Sequence, residues 1–319
     1  MNYGDLLMDS LRITLRNRFL WFFGLFAGAG GGSLGVPSNS GGTFPEETEK
    51  SMPSLGTLVE PARRWVAENL ATVSLVVGLV LLVTLVFVAV GALCAGALAE
   101  SVAAIDRGVG RRFVSTFNAG LSVFPRALGL VLVFSVLYVL LLLIAGSSML
   151  FLFLSSSPGS FPSQIVSVSN ALTLASLLVF VVFIPLGIVG QFALREAVVR
   201  RERVFTSITN SYRLFRRNLG KSLLLWFIQI VVGVAAGILF AITLLIVAAL
   251  LGIPSVLLLV LVGKSVGIGA FVLAGVVFVF LIVVLAAAMG TFNHAYWTLA
   301  YLRLTAPPTP SPGPSPTPG

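Results

Sequence analysis

Long uninterrupted runs of apolar residues are the main feature of this chain. Five of them exceed the roughly 20 residues that an α-helix needs to cross the ~30 Å hydrocarbon core of a bilayer. They are residues 71–98, 127–154, 171–199, 222–251 and 265–300. The pattern predicts an all-α, polytopic membrane helix bundle.

A sixth apolar run, residues 19–34, is shorter and is interrupted by glycines from Gly28 onward. It follows three arginines and contains Ala27-Gly28-Ala29, a pattern that a signal-peptidase site shares. The run is therefore either a short first membrane span or a cleaved signal peptide. The internal repeat described below favours the span, so the sequence predicts about six transmembrane helices.

The polar segments complete the predicted domain organisation. Residues 1–305 form one integral membrane domain, with a flexible outer loop at residues 35–70. Residues 306–319 contain seven prolines and no charged residue. Proline cannot donate a backbone hydrogen bond, so we expect this tail to be extended and disordered.

The distribution of basic residues predicts the orientation. If the N-terminus lies in the cytoplasm, the cytoplasmic segments contain 16 of the 20 lysines and arginines. Cytoplasmic loops of membrane proteins carry such an excess. Both termini are therefore predicted to be cytoplasmic.

Two basic segments repeat each other when the chain is shifted by 91 residues. Arg112, Phe124, Arg126, Leu128 and Gly129 then fall on Arg203, Phe215, Arg217, Leu219 and Gly220. A fainter third copy opens the chain, where Ser10, Arg12, Arg16 and Asn17 match Ser211, Arg213, Arg217 and Asn218. Each copy predicts three consecutive parts: a short amphipathic helix that lies on the membrane interface (an elbow helix), a turn that carries basic residues (a basic corner), and a helix that enters the bilayer. The alternative is that any basic loop between membrane helices looks amphipathic over one or two turns.

Apolar residues at helical spacing favour the elbow interpretation. One stripe comprises Phe113, Phe117, Leu121, Phe124 and Leu128, and the matching stripe comprises Val204, Ile208, Tyr212, Phe215 and Leu219. Arg213 and Arg217 point away from the second stripe. We expect the apolar side chains to enter the acyl boundary while the guanidinium groups stay with lipid phosphates.

Composition excludes a soluble protein. Hydrophobic residues make up 57% of the chain and charged residues 10%, with a mean hydropathy of +1.05. A soluble domain carries about 25% charged residues. The net charge of +9 lies in short loops between apolar runs, which indicates an anionic membrane surface as partner and not nucleic acid.

Few residues are candidates for chemistry. Cys94 is the single cysteine and His294 the single histidine, which excludes intrachain disulfides and a metal site built from several histidines. His294 is expected in an aromatic belt at the inner end of the last span. We expect no catalytic residue, cofactor or metal site, and no enzymatic activity.

Charged residues are expected at the inner ends of the spans and not near their centres. Glu100, Arg126, Arg195 and Glu196 all take such positions in the prediction. Gln191 and Gln229 lie inside spans, where an interhelical hydrogen bond is the preferred interpretation.

Glycines at four-residue spacing, including Gly24 and Gly28, indicate close helix contacts. Contacts within the bundle are the first interpretation, and a homo-oligomer is the alternative.

Three segments resemble a known family. Leu11–Gly24 (LRITLRNRFLWFFG), Ala197–Gly220 and Phe292–Leu304 resemble uncharacterised bacterial six-span membrane proteins. Those proteins are similar to the membrane domain of glycerophosphodiester phosphodiesterases. The resemblance implies a six-helix bundle with interfacial elbow helices in the bacterial plasma (inner) membrane. It carries over no catalytic residue, because the known chemistry of that family belongs to a separate soluble domain.

Two functions are consistent with these features. The first is a non-enzymatic membrane-organising or accessory component that binds anionic lipid headgroups, or a membrane or cytoplasmic protein partner. The binding residues would be Arg12, Arg16, Arg112, Arg126, Arg213, Arg216 and Arg217. The second is a transporter or exporter of a small or lipid-like molecule, which the repeat and the glycine-broken first span favour.

Overall fold

A computed structural model describes residues 2–29, 64–65, 67–154 and 181–306. Every regular element in these ranges is helical. The helices are α1 (Tyr3–Arg16), α2 (Leu20–Ala29), α3 (Leu70–Asp106), α4 (Phe113–Leu154), α5 (Val181–Val199), α6 (Val204–Arg217), α7 (Leu219–Leu261) and α8 (Lys264–Thr305). The all-α prediction is confirmed.

Five helices, α3, α4, α5, α7 and α8, are long and apolar enough to cross a membrane. They correspond to the five long apolar runs. Helices α3, α7 and α8 extend beyond both predicted ends and α4 begins earlier than predicted, whereas the described parts of α4 and α5 end at the predicted residues 154 and 199. At 1.5 Å per residue the 43 residues of α7 span about 64 Å, roughly twice the hydrocarbon thickness. The chain is thus a membrane protein with a helical bundle.

Of the predicted first span, residues 19–34, the structure describes helix α2, whose ten residues make about 15 Å of helix. Helix α2 packs against α3 and α8, with Leu20, Phe23 and Ala27 buried. Residues 30–34, most of the outer loop, residues 171–180 of the predicted span 171–199 and the tail from residue 307 lie outside the described residues.

Buried side chains concentrate at one end of the bundle. This packed end comprises α1, α2, α6 and the adjoining parts of the long helices, approximately residues 91–105, 116–134, 184–198 and 287–301. Beyond it the long helices are apolar all round, and Leu81, Leu245 and Phe280 are 63%, 72% and 67% exposed. Exposed apolar surfaces of this kind are suited to contact with lipid chains. The specific side-chain packing lies mostly at the packed end.

Two of the three predicted corners are present as breaks between helices. Helix α1 ends at Arg16 and α6 ends at Arg217, with Asn17 and Asn218 as their C-caps. Helices α2 and α7 begin within three residues of these asparagines. Each asparagine side chain donates to the carbonyl oxygen four residues earlier, Ile13 O at 3.0 Å and Leu214 O at 3.3 Å. Asparagine competes with the helical backbone in this way, which favours a break.

The middle corner is absent, and that part of the prediction is wrong. Helix α4 continues from Phe113 to Leu154 through Pro125 and Arg126. The position that corresponds to Asn17 and Asn218 is Ala127, which is buried. Alanine is the best helix former and offers no side-chain hydrogen bond to end the helix.

The apolar stripe predicted for α6 does not lie on a single buried face of the helix. Phe215 is buried, but Tyr212 is 54% exposed. The buried face is instead formed by Ser207, Ser211 and Phe215 at four-residue spacing. The Ser207 hydroxyl donates to Arg203 O at 3.0 Å, so this small side chain can be buried with its hydrogen bond made inside its own helix.

Candidate functional site

The predicted binding arginines lie at the packed end and face outward. Helix α1 carries Arg12 and Arg16, and α6 carries Arg213, Arg216 and Arg217; all five are exposed. Arg112 is exposed just before α4, whereas Arg126 is half-buried within that helix. Among the described residues, the ion pairs involve other arginines, namely Arg111, Arg200 and Arg303.

Exposed apolar side chains accompany the arginines on α1 and α6. Met8, Leu11 and Leu15 follow helical spacing on α1 and are exposed beside Arg12. Phe205 on α6 is 75% exposed. Arginine and exposed apolar side chains on one short helix are typical of helices that lie in a membrane interface.

The packed end also contains a buried polar cluster that the sequence did not predict. Arg195 and His294 are both fully buried, although the sequence placed Arg195 at a membrane boundary and His294 in an aromatic belt. Arg195 does lie near the end of α5, as predicted, and His294 lies among aromatic residues of α8, but neither side chain is on the surface. The reason is that α5 and α8 pack against each other here, with Phe192 and Trp297 rings 5.7 Å apart. The pairing removes both polar side chains from the surface.

The Arg195 guanidinium is held by neutral groups. Its Nη1 donates to the backbone oxygen of Gln191 at 2.9 Å and to Gln191 Oε1. Its Nη2 lies 3.4 Å from His294 Nδ1 and 3.5 Å from His294 O. Gln191 was predicted to bond another helix, but its side-chain partner is Arg195 on its own helix.

Glu196, the next residue, connects three helices. Its carboxylate accepts from the buried Tyr301 hydroxyl on α8 and from Asn210 Nδ2 on α6 at 3.3 Å. Arg200 Nη1 lies 3.5 Å from the same carboxylate. Glu196 is thus a buried acid whose charge is compensated.

Gln229 confirms the predicted interhelical hydrogen bond. Its Nε2 donates to Asn293 Oδ1 at 2.6 Å, and its Oε1 accepts from Trp297 Nε1 at 2.7 Å. Both sides of the amide therefore bond α8. The Tyr296 hydroxyl adds a further connection by donating to Leu225 O at 2.8 Å.

Replacing Gln229 with leucine should destabilise this contact by roughly 1–2 kcal/mol, because the half-buried Asn293 amide and the buried Trp297 indole lose their hydrogen bonds. Thermal unfolding of the purified protein in detergent measures the effect. Thr243→Val is the matched control, since Thr243 is exposed on the same helix and its hydroxyl bonds only the Leu239 carbonyl oxygen. Equal unfolding temperatures for the two variants would contradict the assignment.

The sequence contains a pattern from which part of this polar cluster could have been predicted. Thr291, His294, Thr298 and Tyr301 recur at three- and four-residue spacing, which makes one polar stripe on an otherwise apolar helix. Gln191 and Arg195 have the same four-residue spacing. Among the described residues no group of three or more histidine, cysteine or acidic side chains could hold a metal ion.

These features define a polytopic α-helical membrane protein with a polar core at one end and an arginine-bearing surface around it. A family model matches residues 18–307, nearly the whole chain, and the family is one of unknown function, DUF7544. The chain belongs to this family. Comparison with curated proteins and with solved structures gave no match. The resemblance to the phosphodiesterase membrane domain stays a prediction.

Proposed function

We propose that this protein is a non-enzymatic membrane component that binds anionic lipid headgroups through the exposed arginines of α1 and α6. The observation that carries the proposal is the surface of the packed end. Five arginines without a carboxylate partner in the described residues stand beside exposed apolar side chains on two short helices. A cationic and apolar surface of this kind fits the headgroup region of an anionic leaflet.

The position of the two helices supports this function. Helix α1 packs on α8, where Arg303 pairs with Asp9, and α6 packs on α4. The helices are therefore fixed to the membrane bundle before any lipid binds. We infer from the excess of basic residues that this end faces the cytoplasm, where anionic lipids attract basic segments by about 1 kcal/mol per residue. The bacterial inner membrane is the proposed location.

The triple variant Arg213→Gln, Arg216→Gln, Arg217→Gln tests the proposal. We expect it to bind phosphatidylglycerol roughly a hundredfold more weakly than the wild type, because three charges near the phosphates, each worth about 1 kcal/mol, are lost. The measurement is the amount of phosphatidylglycerol that stays bound to the full chain during purification in neutral detergent. Binding by the wild type should also weaken as salt rises.

The control variant removes the same charge from the predicted outer side. Lys50→Gln, Arg63→Gln, Lys264→Gln lowers the net charge equally and should leave lipid retention unchanged. If both triple variants lose phosphatidylglycerol to the same extent, net charge alone is responsible and the proposed surface is wrong. Unchanged retention in the α6 variant also contradicts it.

A further inference from the structure

We propose that Arg195, Gln191 and His294 form an internal binding site for an oxyanion, the phosphate or carboxylate group of a small molecule or a lipid headgroup. This site is separate from the proposed lipid surface and does not rest on it. The three side chains are at most 1% exposed. Arg195 bonds Gln191 within α5 and contacts His294 on α8.

The first observation is a buried positive charge without a counter-charge. The ion pairs within the described residues join Arg111 to Glu100, Arg200 to Glu196 and Arg303 to Asp9, and none includes Arg195. An isolated charge away from water is costly, so buried charges in proteins are normally paired. A bound anion would supply the missing counter-charge.

The nearest acid does not take this role. Glu196 follows Arg195 in the chain, but its two carboxylate oxygens bond Tyr301, Asn210 and Arg200. The contacts of the Arg195 guanidinium are instead the uncharged groups of Gln191 and His294. The structure thus separates the two adjacent charges into different hydrogen-bond networks.

The second observation is a set of unused hydrogen-bond donors. Arg195 Nε, Gln191 Nε2 and His294 Nε2 are buried without a hydrogen-bond partner among the described residues. His294 Nδ1 faces a guanidinium group that can only donate, so the neutral ring carries its hydrogen on Nε2. All three unused atoms are then N–H donors.

Three hydrogen-bond donors and a positive charge indicate that the ligand of this site is an anion. A cation would meet only donors and a like charge, whereas phosphate or carboxylate oxygens accept from each of these groups. Arginine binds both anions through charge-assisted hydrogen bonds. A free anion and a lipid headgroup share this chemistry, and the experiment below distinguishes them.

His294 provides a probe of the site because it is the only histidine in the chain. The full chain, purified in neutral detergent through a tag without histidine and labelled with nitrogen-15 histidine, should give one set of ring signals. We expect the Nε2 signal to change saturably with inorganic phosphate, acetate or phosphatidylglycerol, but not with chloride at equal ionic strength. A response to phosphate or acetate indicates a free anion, and a response to the lipid alone indicates a headgroup.

Arg195→Gln should weaken the anion response roughly thirtyfold or more, as expected when one partner of a buried charge pair is removed. Arg195→Lys keeps the charge and should retain part of the response. The Arg213, Arg216 and Arg217 triple variant should keep the full response, which separates this site from the lipid surface. No change of the His294 signal in the wild type, the same change with chloride, or an undiminished response in folded Arg195→Gln protein overturns the proposal.

Discussion

Replacing Gly24 with alanine is expected to destabilise the bundle by roughly 1–3 kcal/mol, the range typical of overpacking in a close-packed interior. A Cβ at Gly24 would lie 2.6 Å from Thr291 N and would overlap Ala287 O on α8. The crossing is also close from the other side, because a Cβ at Gly290 would lie 2.9 Å from the carbonyl carbon of Gly24. Helices approach this closely in membranes only where side chains are small.

Gly28→Ala is the matched control, since this glycine lies one turn further along α2 and an added Cβ would meet none of the described residues within 4 Å. Alanine is the better helix former, so Gly28→Ala should be neutral or slightly stabilising. Thermal unfolding of both variants in the same detergent measures the difference. If Gly24→Ala is as stable as Gly28→Ala, the close packing of α2 on α8 is wrong.

Glu196→Ala is expected to destabilise the packed end by about 2–4 kcal/mol. The change leaves the buried Tyr301 hydroxyl and the Asn210 amide without their acceptor, and buried polar groups without partners are costly. It also removes the carboxylate that compensates Arg200. Because Glu196 lies on α5 and its partners Asn210 and Tyr301 lie on α6 and α8, the loss should loosen all three helices together.

A double-mutant cycle with Tyr301→Phe isolates the buried hydrogen bond. The destabilisation of the double variant should be smaller than the sum of the two single variants, because each change removes the same interaction. Tyr212→Phe is the control, since the exposed Tyr212 side chain can exchange its hydrogen bonds with solvent. Additive effects of Glu196→Ala and Tyr301→Phe would show that the two residues do not interact.

The predicted elbow helices show which backbone features the local sequence determines. The Arg-Asn pairs at residues 16–17 and 217–218 end their helices in the structure as the repeat predicted. The related basic segment before Ala127 does not, because alanine lets the helix continue. A similar pattern of charges therefore gave two different backbones.

At the candidate site, the exposed residues could be predicted from the sequence and the buried residues could not. Six of the seven predicted arginines are exposed. This follows from their positions in basic segments, because a charged side chain is most stable where water can solvate it. The buried cluster could not be predicted in the same way. Gln191, Arg195 and His294 become neighbours only because α5 packs on α8, with Arg195 and His294 separated by 99 residues in the chain.

The sequence by itself determined the all-helical membrane architecture, since apolar runs of sufficient length are stable in a bilayer only as helices. It also determined where the positive charge collects. Only the tertiary structure decided which polar side chains meet, because burial of Arg195 and the sharing of Glu196 among three helices depend on contacts far apart in the chain. Helix periodicity sets the face on which a side chain lies, but the packing of one helix on another sets whether that face is surface or core.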